Sequence, residues 1–415
     1  MQTTSIQEHT FTALEAMPRP ELEVRWAALR KYLQKCAPHA SGLLVFSRVN
    51  IYYLSGTLAA GLFWLPSEGE PVLLLRKGLE RARLESPVSN IAAYRSFKEV
   101  QAILAKFGQQ FSGKVAVEMK GVSWAMASML QERVTGVHFV PGDQALSMAR
   151  TRKTPWEMAK LRLAGEAHST AILRILPGLL RPGMTEKEIG IQCLETFLKL
   201  GHSGQLRMNA EGEEIFFGHI AANDSGNYPS YYSGPMGFRG VHPASPCLGS
   251  QMIWEPGAPL CVDMAFAYQG YATDKTQTYW AGPPGSLRAD AGQAYDLCCK
   301  IQDLAARDLR PGCLPSRIWA NALELVASTP FRAGFMGLGE NQVPFLGHSL
   351  GLTIDEQPVI ARSFDEPLEE GMVIALEPKI GLPGFGMVGI ENTFAVTPRG
   401  GESLTGDDMG MIFID

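Results

Sequence analysis

The stretch Asp263-Met-Ala-Phe-Ala-Tyr-Gln-Gly-Tyr-Ala-Thr-Asp274-Lys-Thr-Gln-Thr278 holds two acids eleven residues apart, each inside an apolar run. Three further polar residues sit in similar surroundings downstream. His348 lies in Phe345-Leu-Gly-His-Ser-Leu-Gly351, Glu377 in Met372-Val-Ile-Ala-Leu-Glu-Pro378 and Glu391 in Met387-Val-Gly-Ile-Glu-Asn-Thr393. A carboxylate in apolar surroundings costs several kcal/mol or more unless it is paired or bound to a cation.

Taken singly, each acid reads as a sheet residue satisfied by backbone donors or an Arg, and His348 as a hydrogen-bonded core histidine. Few cations lie close in sequence: Lys275 and Lys379 are adjacent, and Arg399 is further off. Together, the order Asp, Asp, His, Glu, Glu points to a metal centre. Oxygen-rich sets with one imidazole suit Mn, Fe(II), Co or Zn, and carboxylates can bridge two such ions. Two ions activating one water is an established hydrolytic arrangement.

The pattern resembles the pita-bread metallopeptidases: prolidase, aminopeptidase P and methionine aminopeptidase, with creatinase as a metal-free relative. The segment from Asp263 to Asp274 is similar to the family's two-aspartate hairpin, Gly347-His348-Ser-Leu-Gly351 to its histidine segment and Leu376-Glu377-Pro378 to its first glutamate. The resemblance implies two divalent ions bridged by Asp274 and Glu391, with Asp263 on one ion and His348 and Glu377 on the other. It also gives Glu377 the part of proton shuttle to the water.

Gly347-His-Ser349-Leu-Gly351 also fits the G-x-S-x-G nucleophile elbow, whose fold needs an acid and then a His after the Ser. The eight histidines end at His348, so no His follows Ser349 and the order fails. There is no H-E-x-x-H, and Gly337-Leu-Gly339 lacks the third glycine of a dinucleotide fingerprint.

At 415 residues, two domains are the natural expectation, and 46% hydrophobic with 19% charged residues implies a substantial core. A formal charge of −5 gives no support for nucleic-acid binding. Seven cysteines without C-x-x-C spacing fit reduced thiols in a cytoplasmic protein. Met1 to His9 lacks the basic head and apolar core of a signal peptide, and no run reaches membrane-span length.

The chain order predicts α/β architecture in two blocks. Glu21 to Cys36 has helical spacing; Leu43–Phe46, Ile51–Leu54, Leu62–Leu65 and Val72–Leu75 read as strands. Phe97 to Phe111 reads as a helix and Val115–Val117 as a strand. The basic seam Arg150-Thr-Arg-Lys-Thr-Pro155 sets the expected boundary: residues 1–152 form an N-terminal domain and residues 153–415 the catalytic pita-bread domain. Trp156 to Leu180 predicts a long helix, and Thr185-Glu-Lys-Glu188 is a capping box opening another. The small first block, including Asn50-Ile-Tyr-Tyr-Leu-Ser-Gly56, resembles the creatinase and prolidase N-terminal domain, whose bearers are commonly homodimers. The aromatic, Gly-rich segment Gly226–Gly240 reads as a pocket wall or lid.

Three positions depart from the prolidase pattern. Seven residues after His348, where prolidases carry a second histidine, stands Asp355, followed by Glu356. Two residues before Glu391, in place of an arginine, stands Gly389. The histidine expected upstream of the first aspartate is assigned to His242, by distance, over His219. Glu377, His242 and Asp355 are therefore the expected catalytic residues. The expected function is hydrolysis of a peptide bond in short peptides, Xaa-Pro peptides among them. Two alternatives remain. One is a metal-dependent enzyme of another class on this scaffold, resembling the dimethylsulfoniopropionate lyases, with Asp355 as base. The other is a non-catalytic peptide-binding relative.

Overall fold

In the computed structural model, residues 11–209 and 215–415 are described. The segment Met1–His9 lies outside the described residues. Contacts divide the chain into two compact units, 1–150 and 151–415.

The first unit is a six-stranded mixed sheet. Its strands are β1 (Ala40–Val45), β2 (Gly61–Pro66), β3 (Val72–Leu75), β4 (Asn90–Ala93), β5 (Gly113–Val117) and β6 (Val137–Pro141), in the order β4-β3-β2-β1-β5-β6. β1, β2 and β3 pair antiparallel, and the outer pairings are parallel. Strands β2 and β3 are buried almost throughout, as the continuous apolar runs require. One predicted strand is a helix: Ile51–Leu54 lies within Arg48–Ser55. Four apolar residues do not distinguish the two states. The ends decide it, because Ser47 caps the first turn and Gly56 closes the last in the left-handed conformation (φ 76°). The buried Glu118 shows how this unit satisfies a carboxylate without a metal. It accepts from the Phe46 and Ser47 amides, the Ser47 hydroxyl and Asn50.

The second unit has two sheet-and-helix halves and a short ribbon. β7 (Gly218–Ala222), β8 (Pro259–Tyr268), β9 (Tyr271–Ala281) and a C-terminal strand (Ile412–Ile414) form a four-stranded sheet. Helices Pro155–Ser169 and Glu186–Lys199 cover it, burying Phe197, Phe266 and Tyr279. Thr185 makes the expected capping box with Glu188. The helix predicted from Trp156 to Leu180 ends at Ser169 and continues as a π turn and a 3₁₀ turn through Gly178, where Pro177 removes a backbone donor.

The other half contains β10 (Phe345–Ser349), β11 (Glu356–Ala361), β12 (Val373–Leu376), β15 (Asn392–Thr397) and β16 (Gly400–Ser403), in the order β11-β10-β12-β15-β16. Between β12 and β15 the chain makes a ribbon, β13 (Lys379–Leu382) with β14 (Gly386–Gly389). Helices Ala289–Arg307 and Pro315–Ala327 pack on this half. The two sheets are joined where β9 meets β15. The Asp274 amide donates to the Thr393 hydroxyl, which donates to the Asp274 carbonyl, and the Glu391 amide donates to the Thr276 carbonyl.

Candidate metal centre

Strands β8 and β9 form a hairpin closed by Gln269 and Gly270, both with positive φ (48° and 88°), a two-residue turn whose twist matches the strands. The register pairs Asp263 with Thr276. Asp274 lies two residues from Thr276, so side-chain alternation puts both aspartates on one face. His348 is the fourth of the five residues of β10, opposite Ala375 of β12. Glu377 follows the end of β12, its amide donating to the Leu346 carbonyl, and Pro378 ends that ladder. Glu391 precedes β15.

These elements bring all five predicted ligands together. One ligand atom from each of Asp274, His348 and Glu391 can lie within 4.8 Å of the others. His348 Nε2 is 3.7 Å from Glu377 Oε1 and 3.9 Å from Glu391 Oε1. His348 Nδ1 is 3.2 Å from the Ser349 carbonyl, which only accepts, so a neutral ring carries its proton there. The Nε2 lone pair then faces two carboxylate oxygens. Glu391 Oε1 is buried with no hydrogen-bond partner. Three acceptors converging on one point fit a hard divalent cation held by oxygen and one imidazole.

The electrostatics agree. Burial pushes Asp274 well above the usual carboxylate range, and Glu391, Asp263 and Glu377 push it further. Burial drives Glu377 up to about 8, with Lys379 opposing and Glu391 adding. Burial lowers the affinity of His348 for a proton, but Asp355, Glu377 and Glu391 together raise it above the ordinary imidazole value.

Asp355 lies in the left-handed region (φ 64°), with Oδ1 3.5 Å from His348 Nδ1. It supports the ligand histidine from behind. Glu356 is held by Lys153 at 3.0 Å and by the Thr353 amide and hydroxyl, a structural role. The two candidate upstream histidines separate clearly. His242 sits in an exposed turn, its Nδ1 accepting from the Ala244 amide. His219 pairs directly opposite Asp263 across β7 and β8 and is buried, with neither ring nitrogen hydrogen-bonded. Burial lowers it to about 4, Asp263 opposing. Phe238 stacks on its ring at 3.6 Å and Tyr232 meets it edge-on, so the Gly226–Gly240 segment forms an aromatic wall beside Asp263. The histidine beside Asp263 is thus His219, because strand register and not sequence distance sets the position.

One residue was not assigned from sequence. Lys379, first in β13 and fully buried, reaches Asp263 Oδ2 at 3.2 Å, Glu377 Oε2 at 2.9 Å and Glu391 Oε2 at 3.0 Å. Burial works against its charge, yet the three carboxylates hold it well above the usual lysine value. Its place two residues after Glu377 in sequence is the signal for it.

Residues 159–398 match the family model described as metallopeptidase family M24, more than half of the chain. The chain belongs to metallopeptidase family M24. Residues 25–152 match the creatinase/prolidase N-terminal domain. The M24 chain is 26% identical over 359 residues to an Xaa-Pro dipeptidase from Pyrococcus furiosus, covering 86% of this chain and 91% of the relative. It is 28% identical over 382 residues to a probable dipeptidase PepE from Mycobacterium tuberculosis, covering 88% and 89%. Its fold is shared with an Xaa-Pro dipeptidase structure from Bacillus anthracis (TM-score 0.75, 22% identity, 95% of this chain and 100% of that one). An X-Pro aminopeptidase structure from Thermotoga maritima is also similar (TM-score 0.73, 20% identity, 90% and 98%). The protein is therefore a metallopeptidase with a creatinase-like N-terminal domain and a pita-bread C-terminal domain, and family membership implies divalent metal cofactors. Among the described residues, no helix is long and apolar enough to cross a membrane.

Proposed function

We propose that this M24 metallopeptidase hydrolyses a peptide bond in short peptides, Xaa-Pro peptides among them, at a divalent-metal centre built on Asp263, Asp274, His348, Glu377 and Glu391. The observation that carries this is the convergence of His348 Nε2 with Glu377 Oε1 and the unpartnered, buried Glu391 Oε1. The peptidase names of the relatives, matched over 86–88% of the chain, support the substrate class. The chemistry such an ion supplies when bound is Lewis-acid polarisation of a carbonyl and acidification of a water.

The chain's own residues do the rest. Glu377 accepts the proton of the attacking water and returns it to the leaving amine. Asp355 and the Ser349 carbonyl fix the His348 ring. His219 orients the substrate carbonyl beside Asp263, and Phe238 and Tyr232 exclude bulk water from that side. The engagement of Asp355 with His348 favours hydrolysis over the lyase reading, which needs Asp355 as a base free to reach the substrate. The finer expectation of two ions bridged by Asp274 and Glu391 has to accommodate Lys379, which already holds oxygens of Asp263, Glu377 and Glu391. A homodimer in the cytoplasm completes the proposal; all seven cysteines are free thiols.

The test is a peptide-library screen by mass spectrometry with protein reconstituted in Mn, Co, Fe(II) or Zn. Metal-dependent release of N-terminal residues or dipeptide cleavage supports the reading. No cleavage with any of the four ions overturns it.

A further inference from the structure

Lys379 divides the cluster into two sides. Its ammonium donates to Glu377 Oε2 and Glu391 Oε2 at 2.9 and 3.0 Å and pairs with Asp263 Oδ2 at 3.2 Å. The other oxygens of the two glutamates, both Oε1, face His348 Nε2 at 3.7 and 3.9 Å. Asp274 joins that second side. One side of the cluster is therefore already paired with a cation that belongs to the protein. The other side ends in an imidazole lone pair and an orphan carboxylate oxygen, Glu391 Oε1.

The position of Lys379 is built by the ribbon. Lys379 pairs with Gly389 across β13 and β14. A Cβ at Gly389 would lie 2.7 Å from both Cα and Cγ of Lys379. Glycine leaves the space through which the lysine stem runs, and any other residue would displace it. The Thr276 hydroxyl donates to the same Glu391 Oε2 at 2.8 Å, which completes the donors on that oxygen. A divalent ion at the Asp263 side would need Asp263 Oδ2 and Glu391 Oε2 at its own bond length, near 2.0–2.2 Å. It would then compete with the ammonium for the same oxygens while repelling it at short range.

We propose that the Lys379 ammonium is a built-in substitute for one of two metal ions, so that the centre holds a single divalent ion, liganded by Asp274, His348, Glu377 and Glu391. Of the five residues that build the centre, Asp263 then serves as a partner of Lys379 and of the substrate side, and the other four as ligands. The inference rests on the metallopeptidase reading above, but it concerns the number of ions and not whether one binds.

The experiment is a Mn(II) titration of the full-length, metal-stripped protein, read by elemental analysis after desalting and by electron paramagnetic resonance. The wild type should retain one Mn per chain with the spectrum of a magnetically isolated ion. Lys379→Met should retain two, with the broadened signal of an exchange-coupled pair, and Lys379→Arg should return to one. Two tightly held ions in the wild type, or only one in a folded Lys379→Met, would overturn the proposal. If Lys379→Met proves unfolded by circular dichroism, the wild-type count alone decides: one ion supports it and two ions overturn it. No ion in the wild type would remove both this inference and the metal-dependent function, whereas two ions would remove only this inference.

Discussion

Asp355→Asn isolates the charge behind His348. Asparagine tolerates the left-handed backbone (φ 64°) that Asp355 occupies, so the substitution removes a formal charge without forcing the loop to move. His348 Nδ1 hydrogen-bonds the Ser349 carbonyl at 3.2 Å, and Asp355 Oδ1 lies 3.5 Å from the same nitrogen. Removing such a support for a ligand histidine costs ~10–100-fold in metal affinity. The carbonyl is the nearer acceptor and remains, so the loss should fall at the lower end, about tenfold or ~1.4 kcal/mol. A second signature follows from titration. Although burial lowers it, His348 is held above the ordinary imidazole value by Asp355, Glu377 and Glu391, and an ion requires the neutral ring. Without Asp355, protons compete less well, and the acid limb of metal binding should shift to lower pH. Calorimetric Mn(II) titrations across a pH series measure both effects. Unchanged affinity and an unmoved acid limb, together with turnover reduced more than about 100-fold, would refute the positioning role and place Asp355 on the substrate.

Other outcomes follow from the same geometry. A combined Asp274→Ala and Glu391→Ala variant should lose bound metal by elemental analysis; unchanged occupancy would put the site elsewhere. His219→Ala should lower kcat by ~10²–10³-fold while leaving the metal content unaltered, whereas His242→Ala should change neither. In metal-free protein, burial pushes Glu377 up to about 8 from an ordinary 4.5. Between those values the folded state holds a proton that the unfolded chain releases, so the Glu377 contribution to stability is lost as pH rises from about 4.5 to about 8. Thermal melts of the metal-free protein should show that decline, and saturating Mn(II) should flatten it. Sedimentation at micromolar concentration should give a dimer of the 45.2 kDa chain, and a monomer alone would exclude the proposed assembly.

The parts of the site that sequence made legible are those set by local pattern. Asp263 and Asp274 were visible as acids in apolar strands, and the Gln269-Gly270 turn fixes the register that aligns them. Glu377 and Glu391 could be chosen because each ends an apolar run, and the structure places them on either side of the β13–β14 ribbon. What sequence did not show depends on pairing between distant segments. His219 reaches Asp263 only through the β7–β8 register, with 43 residues between them. Lys379 enters the cluster because Gly389 opposite it has no side chain, which neither position reveals alone. The helix at Arg48–Ser55 is not legible in its four apolar residues, which suit either state; only the flanking Ser47 and Gly56 decide.

The central claim, that this cluster hydrolyses peptides with water, is tested most directly by turnover in ¹⁸O-labelled water. The metal-loaded enzyme is given a peptide it cleaves, and the products are weighed by mass spectrometry after a single turnover. Hydrolysis predicts one ¹⁸O in the newly formed carboxylate, with no label when Asp274 and Glu391 are both replaced and cleavage is lost. Metal-dependent turnover that places no label in any product would contradict the account and establish an elimination in its place.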